Sequence, residues 1–103
     1  MKTVIYIEER FGKLCANGDT ALSFLQNEVV PSIHRGGSIA FDFMGVRNMN
    51  SSFSNALFAN LVMQEGVSVL EKVTFRNCNS NIKALINAAL DFGYSKLPMP
   101  EVC

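Results

Sequence analysis

The stretch SIAFDFMGVRNMNSSFS, residues 38–54, decides the fold. Ser38–Phe43 is short and apolar almost throughout, which predicts a strand buried on both faces, as in a parallel sheet. Gly45 lets the chain turn, and the polar run Asn48–Ser52 leads into a helix. Phe53, Ala56, Leu57 and Leu61 recur at helical spacing on one face, while Phe58 and Val62 widen the apolar arc beyond what one buried face needs. A strand that feeds a helix through a short loop is half of a crossover unit.

Outward from this unit the same alternation continues. Upstream, TVIYI at Thr3–Ile7 reads as a strand, and Lys13–Ala16 is expected to pair with it across a turn near Gly12. Gly18-Asp19-Thr20 supplies a turn and a cap for a helix carrying Leu22, Leu25, Val29 and Ile33, which Pro31 should kink or end early. Downstream, Gly66–Lys72 is open between a strand and a short helical connection, and Val73–Arg76 reads as a strand. Asn79 or Ser80 then caps a helix with Ile82, Leu85, Ile86, Ala89 and Leu90 inward and Gly93 as its C-terminal cap. Residues 95–103 read as an irregular tail. The expected architecture is a single α/β domain over residues 1–103. It has a mixed four-stranded sheet covered by about three helices, in the order β-β-α-β-α-β-α. Phe43, Phe53, Leu57, Val73, Phe75, Leu85 and Ile86 should share its core.

Composition narrows the function classes. The 103 residues are 49% hydrophobic, enough for a core without disulfides or a structural metal. Nine basic residues cancel nine acidic ones, so no broad field attracts nucleic acid or anionic lipid, and neither partner is expected. Cys15, Cys78 and Cys103 are odd in number and lack metal-ligand or redox spacing, which points to free thiols and a reducing, cytoplasmic setting. The stretch MKTVIYIEERF has neither the charge pattern of a signal peptide nor the length of a membrane span, and a soluble chain is expected.

Motifs for catalysis are missing from the sequence. No glycine-rich phosphate loop follows a strand and there is no Gly-x-Ser-x-Gly elbow. His34 is the single histidine and sits in PSIHRGG at an expected helix end, where it suits the backbone carbonyls. Glu8 and Glu9, as strand neighbours, would point to opposite faces and read as solvated charges. No catalytic residue, metal ligand or cofactor is assigned, and the expected protein is not an enzyme. The loop after the central strand is the place where sites gather in such folds. There Asp42 and Gly45 organise the turn, and Asn50, Ser51 or Ser52 caps the helix, whose first turn also suits a phosphate.

IAFDFMGVRNMNSSFSNALFANL also resembles the core signature of the bacterial STAS-like domains. That pattern is a strand ending Asp-Phe, a Gly-Val, a Ser-Phe pair and an amphipathic helix, met here by Asp42, Phe43, Gly45, Val46, Ser52 and Phe53. A looser likeness runs from about Gly18 through Leu90. The resemblance implies a fold related to the anti-sigma-factor antagonists, in which a serine at this helix start is phosphorylated by a histidine-kinase-like ATPase. By position the phosphoacceptor is Ser51, with Ser52 next. The sequence departs from the antagonist pattern at Asn50, where that pattern has aspartate, and at Phe53, where it has glycine.

The reading that follows is a protein-binding regulatory domain whose contact rim comprises Asn48, Asn50, Ser54 and an exposed Phe58. Two others compete with it: a module holding a small anion or nucleotide at the same helix start, and an accessory subunit of an enzyme complex.

Overall fold

A computed structural model describes residues 2–96. The described residues hold five short strands: β1 (Lys2–Tyr6), β2 (Leu14–Cys15), β3 (Ser38–Asp42), β4 (Asn48–Met49) and β5 (Val73–Arg76). The helical segments are α1 (Ile7–Phe11), α2 (Gly18–Phe24), α3 (Val30–His34), α4 (Ser51–Ser54), α5 (Asn60–Glu65) and α6 (Ser80–Ser95). A widened π turn, Leu25–Val29, joins α2 to α3, and a second, Asn55–Ala59, joins α4 to α5. Each therefore makes one continuous helical rod. Val67–Lys72 is a 3-10 helix, which resolves the ambiguous stretch before β5.

The sheet differs from the mixed four-stranded expectation. β1, β3 and β5 form a wholly parallel three-stranded sheet with β3 central, and β2 pairs in parallel with β4 as a separate ribbon. Leu14 and Cys15 thus lie beside Asn48 and Met49 instead of folding back on β1. The cause is local: Ile7–Phe11 winds into α1, so the chain leaves β1 by a helical turn and not by a hairpin. Glu8 and Glu9 accordingly stand in the first turn of α1, where acidic groups favour the helix dipole, rather than on a strand.

Strand order β1-β3-β5 advances in one direction, and right-handed crossovers then put both helical connections on the same face. The aromatic contacts agree with this. Phe58 meets Phe41 at 5.3 Å, Phe75 at 5.4 Å and Phe43 at 6.2 Å between ring centres, uniting the central strand, the edge strand and the second rod. On the opposite face Lys2, Tyr6, Thr74 and Arg76 are exposed, while Ala40 is small and fully buried between Val4 and Thr74 in register.

Pro31 does not end its helix. Val30 N–H donates to the Leu25 carbonyl five residues back, and the rod runs on to His34. A widened turn just before the proline accommodates the missing donor. At the far end His34 Nε2 lies 2.8 Å from Glu65 Oε1, tying the two rods together. Gly93 is not a cap either, because α6 continues to Ser95 with Lys96 closing it. Of the expected tail, 97–103, including Cys103, lies outside the described residues. The core expectation holds: Phe43, Phe53, Leu57, Val73 and Ile86 are buried, and Phe75 and Leu85 pack against them half-buried.

Candidate functional site

Parallel strands carry their loops to one end of the sheet, and three segments meet there: the turn after β3, the start of the second rod and the entrance to α6. Asp42 ends β3 almost buried, and one carboxylate oxygen accepts two hydrogen bonds at 2.9 Å, from Met44 N–H and from the Asn77 amide. Asn77 stands in the left-handed region at φ 56°, which an asparagine tolerates better than most residues. The Asn77 amide first, then the Met44 N–H, and to a lesser degree Arg76 hold the Asp42 carboxyl below its ordinary range. Asp42 therefore locks two loops together as a carboxylate.

Phe43-Met44-Gly45-Val46 is a turn closed by Val46 N–H to the Phe43 carbonyl at 2.9 Å. Gly45 occupies its third position at φ 85°, where a turn of this kind calls for glycine. The Glu8 carboxylate lies on its open side, and a β-carbon there would displace that flexible side-chain end. The turn leaves the Met44 side chain 66% exposed.

Asn50 is the residue that caps the second rod. Its side-chain oxygen accepts Phe53 N–H at 2.9 Å and its amide donates to the Ala16 carbonyl at 3.0 Å. Asn79 repeats the device at α6, accepting Ile82 N–H at 2.9 Å and donating to the Arg47 carbonyl at 2.9 Å. Asn17 caps α2 by accepting from Asp19 and Thr20 N–H, a cap that the turn Gly18-Asp19-Thr20 concealed in the sequence. An asparagine cap offers a donor as well as an acceptor, so at the starts of the second rod and of α6 it fixes a neighbouring loop too.

With Asn50 as cap, Ser51 and Ser52 are free of capping and both are exposed. The Ser52 carbonyl lies against Gly18, so the starts of α2 and α4 abut. Leu14, 68% exposed on the ribbon, and Asn48, exposed opposite it, continue the same rim. Asn48 and Asn50 are both exposed.

Two other rim residues are corrected. Phe58 is fully buried in the aromatic cluster and Ser54 is 1% exposed, its hydroxyl donating to the Ser51 carbonyl at 3.4 Å. The second rod touches α2 on one side, α6 on another and the sheet beneath, so between its ends only a stripe through Ser52, Asn55, Ala56, Asn60 and Met63 keeps any exposure. That burial explains the wide apolar arc. Leu14 and Met44, by contrast, were missed: single exposed apolar residues in a loop or a two-residue strand leave no periodic signal.

A depression of about 570 Å³ begins at Asn77, beside Asp42, and is lined further by Phe75, Cys78, Lys83, Ile86 and Asn87. A second of about 380 Å³ lies by the ribbon, where Arg10, Phe11, Asn17, Thr20 and Phe53 contribute walls. Arg10 is already paired with Glu28 at 2.7 Å. Among the described residues no three of His, Cys, Asp and Glu gather as a metal ion would need, and no helix is long and apolar enough to cross a membrane.

A parallel α/β domain with its helices stacked on one face, and with loops stitched by asparagine caps at the strands' carboxyl ends, is the class that these features define. The sequence pattern of the STAS-like domain of unknown function (DUF4325) matches residues 23–83, and the chain belongs to that family. No curated protein and no solved structure matches the chain.

Proposed function

We propose that this domain is a non-catalytic, cytoplasmic protein-binding module of a regulatory switch, with the rim Leu14, Met44, Asn48, Asn50, Ser51 and Ser52 as its contact surface. One observation carries the reading: two exposed serines stand in the first turn of a buried, asparagine-capped helix, with two protruding apolar side chains on adjoining segments. Apolar anchors beside polar groups that need not rearrange suit a protein partner. By the resemblance to anti-sigma-factor antagonists, that partner is a histidine-kinase-like ATPase and Ser51 or Ser52 is its phosphoacceptor.

Phosphate adds about −1.5 to −2 charges at neutral pH. At a helix start the fold tolerates it, since an anion there is stabilising by about 0.3–1 kcal/mol. A partner packed on the rim meets a desolvated charge instead and is released. The test compares Ser51→Asp and Ser52→Asp with the parent for melting temperature and for capture of the partner from the native host. Near-normal melting with lost capture supports the switch. Unchanged capture by both variants defeats it and leaves the serines as surface residues of a helix start.

A further inference from the structure

We propose that the outer edge of β5 accepts an extended, acidic–apolar peptide as a fourth strand of the sheet, lodged between β5 and α6. This site is separate from the rim at Ser51 and does not depend on it.

The backbone supplies the first argument. The Arg76 carbonyl accepts Phe43 N–H at 2.9 Å, so Arg76 turns its backbone toward β3. Strand alternation directs Thr74 the same way and leaves the N–H and C=O groups of Val73 and Phe75 pointing outward. No described residue pairs with that edge. An edge so placed is a template for another strand.

The space beside it supplies the second. Along this edge lies the depression of about 570 Å³, with buried Ile86 and half-buried Phe75 as apolar surface, and with Asn77, Asn87, Cys78 and Lys83 around them. Phe75 is held from behind by its stack on Phe41 at 5.9 Å and its edge contact with Phe58, so the wall is firm. A strand added to β5 would drop alternate side chains toward α6, into this space. Lys83 is the one charged residue in the lining, and Arg76 is exposed at the end of β5. A carboxylate on the incoming strand meets Lys83, an apolar side chain meets Ile86, and the asparagine amides serve its remaining polar groups. The other sheet edge, β1, is less suited: its depression is about 250 Å³ and includes Arg10 and Glu28, which already pair with each other.

The test uses the full chain, isotope-labelled, and three capped hexapeptides in which the acidic or basic and apolar side chains are two residues apart and so share one face: TETVTE, TKTVTK, and TETVTE methylated on alternate backbone nitrogens. Amide shifts on titration locate the site, and hydrogen exchange reads the Phe75 amide. We expect saturable binding of TETVTE, with shifts confined to 73–78 and 83–87 and slowed exchange at Phe75. N-methylation should weaken it about tenfold or more, because ladder bonds are lost. Lys83 is exposed, so Lys83→Glu folds normally, and it should reverse the preference in favour of TKTVTK. Equal binding of the methylated peptide would overturn the proposal, showing a groove that takes side chains or small molecules without strand pairing. Shifts at β1 or at the Asn50 rim, or no saturation by about 1 mM, would overturn it as well.

Discussion

Gly93 faces Ala59 so closely that a β-carbon on it would stand 2.6 Å from the Ala59 carbonyl oxygen and 3.0 Å from the Ala59 α-carbon. This is where α6 crosses the middle of the second rod, and backbone lies against backbone. A glycine inside an exposed helix would gain about 0.5–1 kcal/mol on conversion to alanine. Here the sign reverses. Gly93→Ala should destabilise by about 1–3 kcal/mol, because the helices must part to admit the methyl group. Denaturant midpoints of the two proteins decide it, and a stabilised variant would mean that α6 sits elsewhere.

Phe58 separates core from contact surface. It is fully buried and touches Phe41, Phe43 and Phe75. Phe58→Ala should cost about 3–5 kcal/mol. Met44→Ala, on a 66% exposed side chain, should stay within about 0.5 kcal/mol of the parent. Equal small losses at both positions would expose the second rod.

Asp42 gives a pH dependence with a defined sign. Its carboxyl is held low in the folded state by Asn77, then Met44 N–H, then Arg76. The unfolded chain therefore binds the proton more readily, and the contribution is complete above the ordinary aspartate pKa of about 3.9. It fades as pH falls through the lower folded value. Asp42→Asn should flatten the loss of stability between neutral and strongly acid solution. A slope identical to the parent's would mean that the carboxylate does no such locking. Asp42→Ala, which strips two donors of their acceptor, should cost about 1–3 kcal/mol at neutral pH.

The thiols should differ in reactivity. Burial raises the Cys15 thiol to about 11, and Cys78 is half-buried and also raised by burial. Iodoacetamide followed by peptide mapping should modify Cys78 before Cys15 in the native protein. After denaturation without reductant, all three cysteines of the sequence should react. A single reactive thiol at that stage would reveal a bridge.

Legibility in the sequence followed the length of each signal. β3 and α6 are plain because a buried apolar run and four turns of helical spacing each repeat their message several times. β2 and β4 have two residues apiece, too few for any period, so their pairing was open to a wrong partner. The helix starts were read to within a residue or two. Which residue caps was less visible, since Asn17, Asn50 and Asn79 earn their places partly through loops distant in sequence. At the rim, Ser51 and Ser52 were legible as the opening of a helix. The exposed Leu14 and Met44 became neighbours of that opening only through the fold, and Phe58 lost its exposure for the same reason: two other helices enclose its rod.

The contact surface can be read by cross-linking in the native host, with a photoreactive benzoylphenylalanine placed singly at Met44, Leu14 or Tyr94. Tyr94 is a suitable contrast, being 63% exposed near the far end of α6, about 20 Å or more along the helix from the strands' carboxyl ends. Adducts of one discrete protein from Met44 and Leu14, with none from Tyr94, are the expected result. Adducts from Tyr94 alone, or none from either rim position, would contradict the assignment of this rim as the surface through which the domain works.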